Sequence, residues 1–562
     1  MNSIDMSARA LTTLERRRED FTPGQAALKL DALRELARTT LRTAEQVRRL
    51  HEVLCFMRAY PDDAEVLQQV EQMLSGFARR RDLRKHRDAL AHSGMAGTLM
   101  GYPFFYPTAH WLSRRWPDAL QLDRSDTIAE ESIAKSLPAL MSSLENHALR
   151  ELHLPGYQAL DAVRGTRTDA TFLLDRIAVM PGDSFTREAF YDLINPSCEL
   201  LPMDGTPTRT TAVYSGAPRA WQTAPLRHQR PDLRREIVRG VRTIRHMPPR
   251  EAQVLITLAR ESMITRNRDL DAFAYGNETD VWLCDDGHGL AFVLIGMQPE
   301  RRAALPAIYG GLTLQNGVPI GYHQADFLGR TVAVSFNTFE SFRGGESAYT
   351  FARLLAALHE FSGATSFSIE PYQLGQGNDE GIESGAWWFY FKLGFRPRAP
   401  VALKLAAAET RRQKSKPGYR STSATLRRLA EHHLFLDLDP HQPAPLLLPT
   451  RVGLRVAASL TALAPDSRSA AIEQAEAVAR ATCGLGSLHG FTHNERSAWM
   501  RLAPLFAALP LRGWSDADRA SLIALARSKG GRSERSYVRL LRKHQKLERA
   551  LASWSLATGP AA

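Results

Sequence analysis

Two short segments of this 562-residue chain carry residue types at spacings that could do chemistry. The first is Arg343-Gly344-Gly345-Glu346-Ser347-Ala348, lying between an alternating apolar segment and a helix-forming one. Small residues ahead of a helix let successive backbone N–H groups converge on one anion, so a phosphate is the natural ligand. Glu346 is discordant there, because a carboxylate facing a phosphate repels it; at a helix start it would instead cap the N-terminus and interact well with the helix dipole. The second segment runs from Gly385 to Phe395 and reads Gly-Ala-Trp-Trp-Phe-Tyr-Phe-Lys-Leu-Gly-Phe. Gly394 suits a left-handed helix stop, and Phe395 can pack back under the helix. Tyr390, about one turn before that stop, sits on one helix face.

Other chemistry has no comparable support. The sequence holds no Gly-x-Ser-x-Gly elbow, no Gly-x4-Gly-Lys-Ser/Thr phosphate loop and no His-Glu-x-x-His helix. His432, His433, Asp437, Asp439 and His441 are metal-compatible, but Leu434, Phe435, Leu436 and Leu438 among them alternate as a strand would, and no metal site is expected. Cys55, Cys198, Cys284 and Cys483 lie far apart, with no spacing that suggests zinc or a disulfide framework.

Ala386, Phe389, Tyr390, Lys392, Gly394 and Phe395 fall on the pattern Ala-x-x-aromatic-Tyr-x-Lys-x-Gly-Phe. Arg343 to Ala348 fall on an Arg/Gln-x-x-Gly-x-Gly/Ala loop upstream of it. On these residues the stretch from roughly Pro249 to Leu405 resembles the GNAT superfamily of acyltransferases. It departs from the family at Glu346, where the loop has Gly, and at Glu383, where Asn is common. The resemblance implies an N-acyltransferase with acyl-CoA as co-substrate and no permanently bound cofactor. By the same resemblance, Arg343, Gly344, Gly345, Ser347 and Ala348 would hold the pyrophosphate, and the backbone of Ser335, Phe336 and Asn337 would line the pantetheine arm. An amine attacks the thioester, a base takes its proton, and Tyr390 is the candidate acid for the departing thiolate. Candidate bases are the carboxylates near the splay between the fourth and fifth strands, Glu340 and Glu370. The long polar loop Pro371 to Gly381 offers Tyr372, Gln373 and Asn378 to the acceptor, a small-molecule or protein amine. Two alternatives remain open: a GNAT-fold transferase of the Fem type drawing on aminoacyl transfer RNA, which Glu346 and the basic flanks motivate, and a non-catalytic interaction protein on the same scaffold.

The elements that must position these residues are read from periodicity. Asp280–Leu283 with Leu290–Met297, and Ala307–Leu314 with Val318–Ala325, read as hairpins, the second around Asn316-Gly317. Thr331–Phe336 and Thr365–Ile369 read as strands, Ser347–Phe361 and Gly385–Leu393 as helices, Val401–Leu405 as a strand, and Arg411–Arg428 as a mobile loop followed by a helix. The expected fold class is α+β: a GNAT-like mixed, mostly antiparallel sheet with helices, flanked by mainly helical N- and C-terminal regions. Its parts are a helical domain over 1–160, an irregular α/β region over 161–248, a GNAT-like domain over 249–405, a basic loop and possible added strand over 406–450, and a helical domain over 451–562. In the first of these, Leu30, Leu33, Leu36 and Leu41, then Leu50, Val53, Leu54 and Met57, keep helical spacing. Composition fits a folded chain, 44% hydrophobic and 23% charged. No apolar run reaches membrane-spanning or signal-peptide length, so a soluble cytoplasmic protein without a membrane partner is expected. Lys+Arg exceed Asp+Glu by 72 to 60, but these cations are nearly all arginine and spread along the chain, which weakens a nucleic-acid reading.

Overall fold

The computed structural model describes residues 3–511 and 513–556. Leu30, Leu33 and Leu36 are buried on helix Gln25–Arg38, and Leu50, Val53, Leu54 and Met57 on helix Ala44–Ala59. These helices belong to a compact unit made of residues 1–226, 253–275 and 314–320. It also holds a small sheet in which β3 (Cys198–Leu200) lies between β1 (Met100–Tyr102) and β2 (Leu120–Leu122), antiparallel to both.

The second unit, residues 227–252, 276–313 and 321–562, carries most of a nine-stranded sheet. Its strands are β4 (Thr243–His246), β5 (Gly276–Gly287), β6 (Leu290–Met297), β7 (Ala307–Gln315), β8 (Val318–Leu328), β9 (Thr331–Thr338), β10 (Ser366–Ile369), β11 (Arg396–Pro397) and β12 (Leu434–Asp437). Their order across the sheet is β11-β12-β10-β9-β8-β7-β6-β5-β4. Two-residue turns set both expected hairpins. His288 and Gly289 take φ of 51° and 79°, Asn316 and Gly317 take 51° and 78°, and this left-handed pair matches the twist of the flanking strands. Helix Ser347–Ser362 buries Phe351, Leu354, Leu355 and Leu358 in one core with Val332, Val334, Phe367 and Ile369 of the sheet.

The chain after Phe395 departs from the sequence-based reading. Val401–Leu405 is not a strand but the start of helix Pro400–Ser415. Pro400 is preset for a first helical turn, the run Ala406-Ala407-Ala408 favours helix, and Ala402, Ala406 and Glu409 bury one face at spacings of four and three. That helix also absorbs Arg411 to Ser415, so the expected loop shrinks to residues 416–422 before helix Ser423–Ala430. The strand position is filled by β12, which pairs antiparallel with β10. Segment 451–562 is helical over its described residues, yet its Trp499, Leu522 and Tyr537 join the same core as the sheet. The segment expected to open the GNAT-like domain is shared: helix Pro249–Ile264 begins in the second unit, and residues 253–275 are counted with the first.

Two buried polar knots hold the second unit. Asp280 accepts hydrogen bonds from the Tyr309 hydroxyl, Trp282 Nε1, Ser533 Oγ and the Glu534 backbone N–H at 2.6–3.1 Å, tying the C-terminal helices to β5 and β7. The other forms at the β5–β6 turn, where the register slips between Asp285 and Gly287 and leaves Asp286 as an extra residue. Arg353, 1% exposed on helix Ser347–Ser362, meets its carboxylate at 2.6 Å and also donates to the carbonyls of Glu236 and Gly240. Burial still pushes the Asp286 carboxyl up, against the opposing pull of Arg353. Among the described residues no helix is long and apolar enough to cross a membrane. Arg353→Ala would leave Asp286 buried without its counter-charge and should cost about 3–5 kcal/mol in urea unfolding, whereas Arg343→Ala at an exposed pair should cost under about 1 kcal/mol.

Candidate functional site

A parting of two parallel strands builds the site. β9 and β10 pair only over Thr331–Ala333 and Ser366–Ser368. β9 then continues to Thr338, paired with β8 along its whole length, while β10 ends at Ile369. From Val334 onward that edge of β9 has no strand beside it. Next to the gap is a cavity of about 460 Å³, in the size range of small-molecule sites. The end of β9 (Phe336, Asn337, Thr338), the loop from Arg343 to Ala348 and the aromatic helix Ala386–Lys392 all contribute to its wall.

The loop supplies the polar end. Gly344 has φ of 89°, which only glycine adopts without strain, and a Cβ placed there would meet no atom within 4 Å. No side chain therefore fills the space beside it. Gly345, Ser347 and Ala348 also line the cavity, at the start of the 16-residue helix Ser347–Ser362, where the first N–H groups lack intrahelical partners. Glu346 does not line it and does not cap the helix through its side chain. Its Oε1 accepts the Arg227 backbone N–H at 3.0 Å instead. Arg343 donates to the Thr338 carbonyl and pairs with Glu380 at 3.1 Å, both side chains being about half exposed.

Tyr390 is fixed by the end of its helix. The Phe395 N–H bonds to the Tyr390 carbonyl and the Gly394 N–H to that of Phe391, with Gly394 at φ 109°. This is the Schellman stop, and its accompanying apolar contact is between the rings of Phe395 and Tyr390, 5.9 Å apart. Phe351 packs edge-on against Tyr390 from the other helix at 5.4 Å. Burial pushes the phenol well above its usual range. It lines the cavity and has no hydrogen-bond partner among the described residues, which leaves its proton available to a ligand.

Of the other residues singled out from sequence, Phe336, Asn337, Gln373 and Asn378 line the cavity and Ser335 does not. Asn378 is also structural: it caps helix Asp379–Glu383 and donates to the Tyr372 carbonyl. Tyr372 is 57% exposed and lies outside the lining. Glu340 is exposed in a short 3₁₀ turn and does not reach the cavity wall. Glu370 follows β10 and is likewise absent from the lining; it presents much of its surface to solvent, but the surrounding chain desolvates its carboxyl enough to push it up.

One carboxylate was missed. Asp326 on β8 lies opposite Ala333, which pairs in turn with Ser368, so the alternation along the strands places Asp326 and Glu370 on one face of the sheet. Val332, Val334, Phe367 and Ile369 occupy the other face, toward helix Ser347–Ser362. Burial pushes Asp326 up to about 6, opposed by a hydrogen bond from Gln324 Nε2 at 3.0 Å and reinforced by the charge of Glu370. In sequence Asp326 is one polar residue in an alternating strand, and only the register reveals its neighbour. Among the described residues no group of three or more His, Cys, Asp or Glu is placed to hold a metal. Comparison of the chain with known protein families, with curated proteins and with solved structures finds no match.

Proposed function

We propose that the second unit is a GNAT-like N-acyltransferase that moves an acyl group from acyl-CoA to an amine. The observation that carries the reading is the unpartnered Tyr390 phenol opening on the same cavity as the Arg343–Ala348 loop and the unpaired end of β9. The loop and the start of helix Ser347–Ser362 would receive the donor's pyrophosphate. The open edge of β9 beyond Ala333 would take the amides of the pantetheine arm as an added strand would, since its own groups have no strand partner there. The amine attacks the thioester carbonyl carbon, the C–S bond breaks, and Tyr390 gives its proton to the departing sulfur. The proton lost by the amine passes to a carboxylate, for which Asp326 and Glu370 are the candidates on the opposite face of the sheet. A raised carboxyl suits that task, because a base with a pKa near the working pH captures a proton better than an ordinary carboxylate. The transfer-RNA alternative drew on Glu346 and on the basic flanks; the Arg227 backbone N–H now engages Glu346, which weakens the first of these motives and leaves the second.

Calorimetry with acetyl-CoA and longer acyl-CoA should give a measurable heat of binding, and its absence in folded protein would remove the donor. Tyr390→Phe should lower kcat by about 10²-fold while leaving the donor Kd within about threefold, as expected for loss of a general acid. An unchanged kcat would clear Tyr390 of that role. Because a carboxyl raised to about 6 is protonated and inactive below that pH, the rate should rise through pH 6 and level off above it. In Asp326→Asn the rise should vanish together with at least ~10-fold in rate.

A further inference from the structure

The cavity beside β9 is lined by one cation, Arg343, and one carboxylate, Glu380. The two are bonded to each other across 37 residues of chain, Arg343 Nη2 donating to Glu380 Oε1 at 3.1 Å. The guanidinium that an anion entering the loop would use is therefore already engaged by a carboxylate of the same wall.

Both partners are placed by their surroundings. Arg343 Nε donates to the Thr338 carbonyl at 3.1 Å, which orients the guanidinium at the end of β9. Glu380 lies in the first turn of helix Asp379–Glu383, which Asn378 caps by accepting the Gly381 N–H at 3.3 Å. Ile382 buries the far side of that helix in the core, and a Cβ on Gly381 would come within 3.0 Å of the Gly375 backbone N, so the helix lies tightly on the turn before it. The adjacent acid has a different partner: Asp379 is outside the cavity lining and pairs with Arg427 at 3.0 Å. Of two neighbouring carboxylates, only one faces Arg343. A partner held this close competes with outside ligands at an effective concentration on the order of millimolar.

We propose that Glu380 is an internal competitor for the anion position at Arg343, an autoinhibitory contact built into the cavity. The inference rests on the reading of the Arg343–Ala348 loop as a phosphate site and adds to it the residue that opposes occupancy. A ligand gains Arg343 only by breaking the Glu380 bond, and it then lies beside a displaced carboxylate of its own sign. Its other contacts, above all those with the first N–H groups of helix Ser347–Ser362, must supply the difference. Anions that offer Arg343 a single weak contact do not displace Glu380, whereas a diphosphate can. Both side chains are about half exposed, which limits the effect to the modest factor of a surface pair.

Inorganic pyrophosphate tests this in calorimetry on the full chain. Glu380→Gln should tighten its binding about two- to fivefold, the factor a surface ion pair withholds, and Glu380→Lys should tighten it further. Asp379→Asn removes the same charge one residue away and should leave affinity within about 1.5-fold, since exposed charges without a direct contact are largely screened. Adding Arg343→Ala should erase the gain from Glu380→Gln, which a general change in surface charge would not do. Unchanged circular dichroism and melting temperature exclude unfolding. Equal affinity in Glu380→Gln, a gain matched by Asp379→Asn, a gain that survives loss of Arg343, or no pyrophosphate binding in any variant would overturn the competitor. Acyl-CoA binding is measured separately on the unaltered chain. Pyrophosphate binding with the expected charge series but no acyl-CoA binding would remove the donor and keep the competitor, and acyl-CoA binding indifferent to Glu380 would do the reverse.

Discussion

The cavity depends on β9 and β10 staying together for three residue pairs and then separating. β10 ends at Ile369, one residue past the last pair, and the chain turns into a short helix from Pro371, so no strand continues the ladder along β9. What keeps the opening from collapsing is a complete hydrogen-bonded ladder on either side. β9 is held by β8 along all eight residues, and β10 is held by β12 over all four of its own. A sheet with a hole in it is therefore stable as long as both flanking ladders are complete, and the unpaired backbone of β9 becomes a feature a ligand can use.

Two anchors convert that opening into a defined pocket. Helix Ser347–Ser362 is held midway by Arg353 in the β5–β6 bulge, which fixes the direction in which its first N–H groups point. The shorter helix Ala386–Lys392 cannot rely on its own length, since seven residues form few internal bonds. Its stop does the work instead: Gly394 turns left-handed, Phe395 folds back, and the ring that Phe395 covers is Tyr390. Helix termination and phenol placement are one interaction, so the glycine-aromatic pair cannot be altered without moving the candidate acid.

Much of this was legible because it is local. Asn316-Gly317 and His288-Gly289 announce their turns by residue type, the leucine spacing announces the first helices, and Gly394-Phe395 announces a stop. The unreadable parts depend on distant partners. Val401–Leu405 alternates over too few residues to separate strand from helix, and only the buried face continuing to Ala406 and Glu409 decides for helix. Glu346 looked hostile to phosphate because its partner, the Arg227 backbone, lies 119 residues away. Asp326 gave no signal at all, since its significance comes from Ala333 and Ser368, two strands it meets only in register.

The departures from the expected pattern share a location. Glu346, Glu383 and the helix that replaces a strand all fall on the side of the site formed by the Arg343–Ala348 loop and the chain after Phe395, while Ala386–Phe395 keeps to the expected pattern. Segment 400–430 is also where a carboxylate, Glu409, is buried to hold a loop in place, an arrangement costly to maintain unless its hydrogen bonds are complete, as they are here. The arginines around this end of the site show how folding consumes part of an excess that is diffuse along the sequence: Arg343, Arg412 and Arg427 meet Glu380, Glu409 and Asp379, partners 37, 3 and 48 residues away that charge counting along the chain does not pair with them.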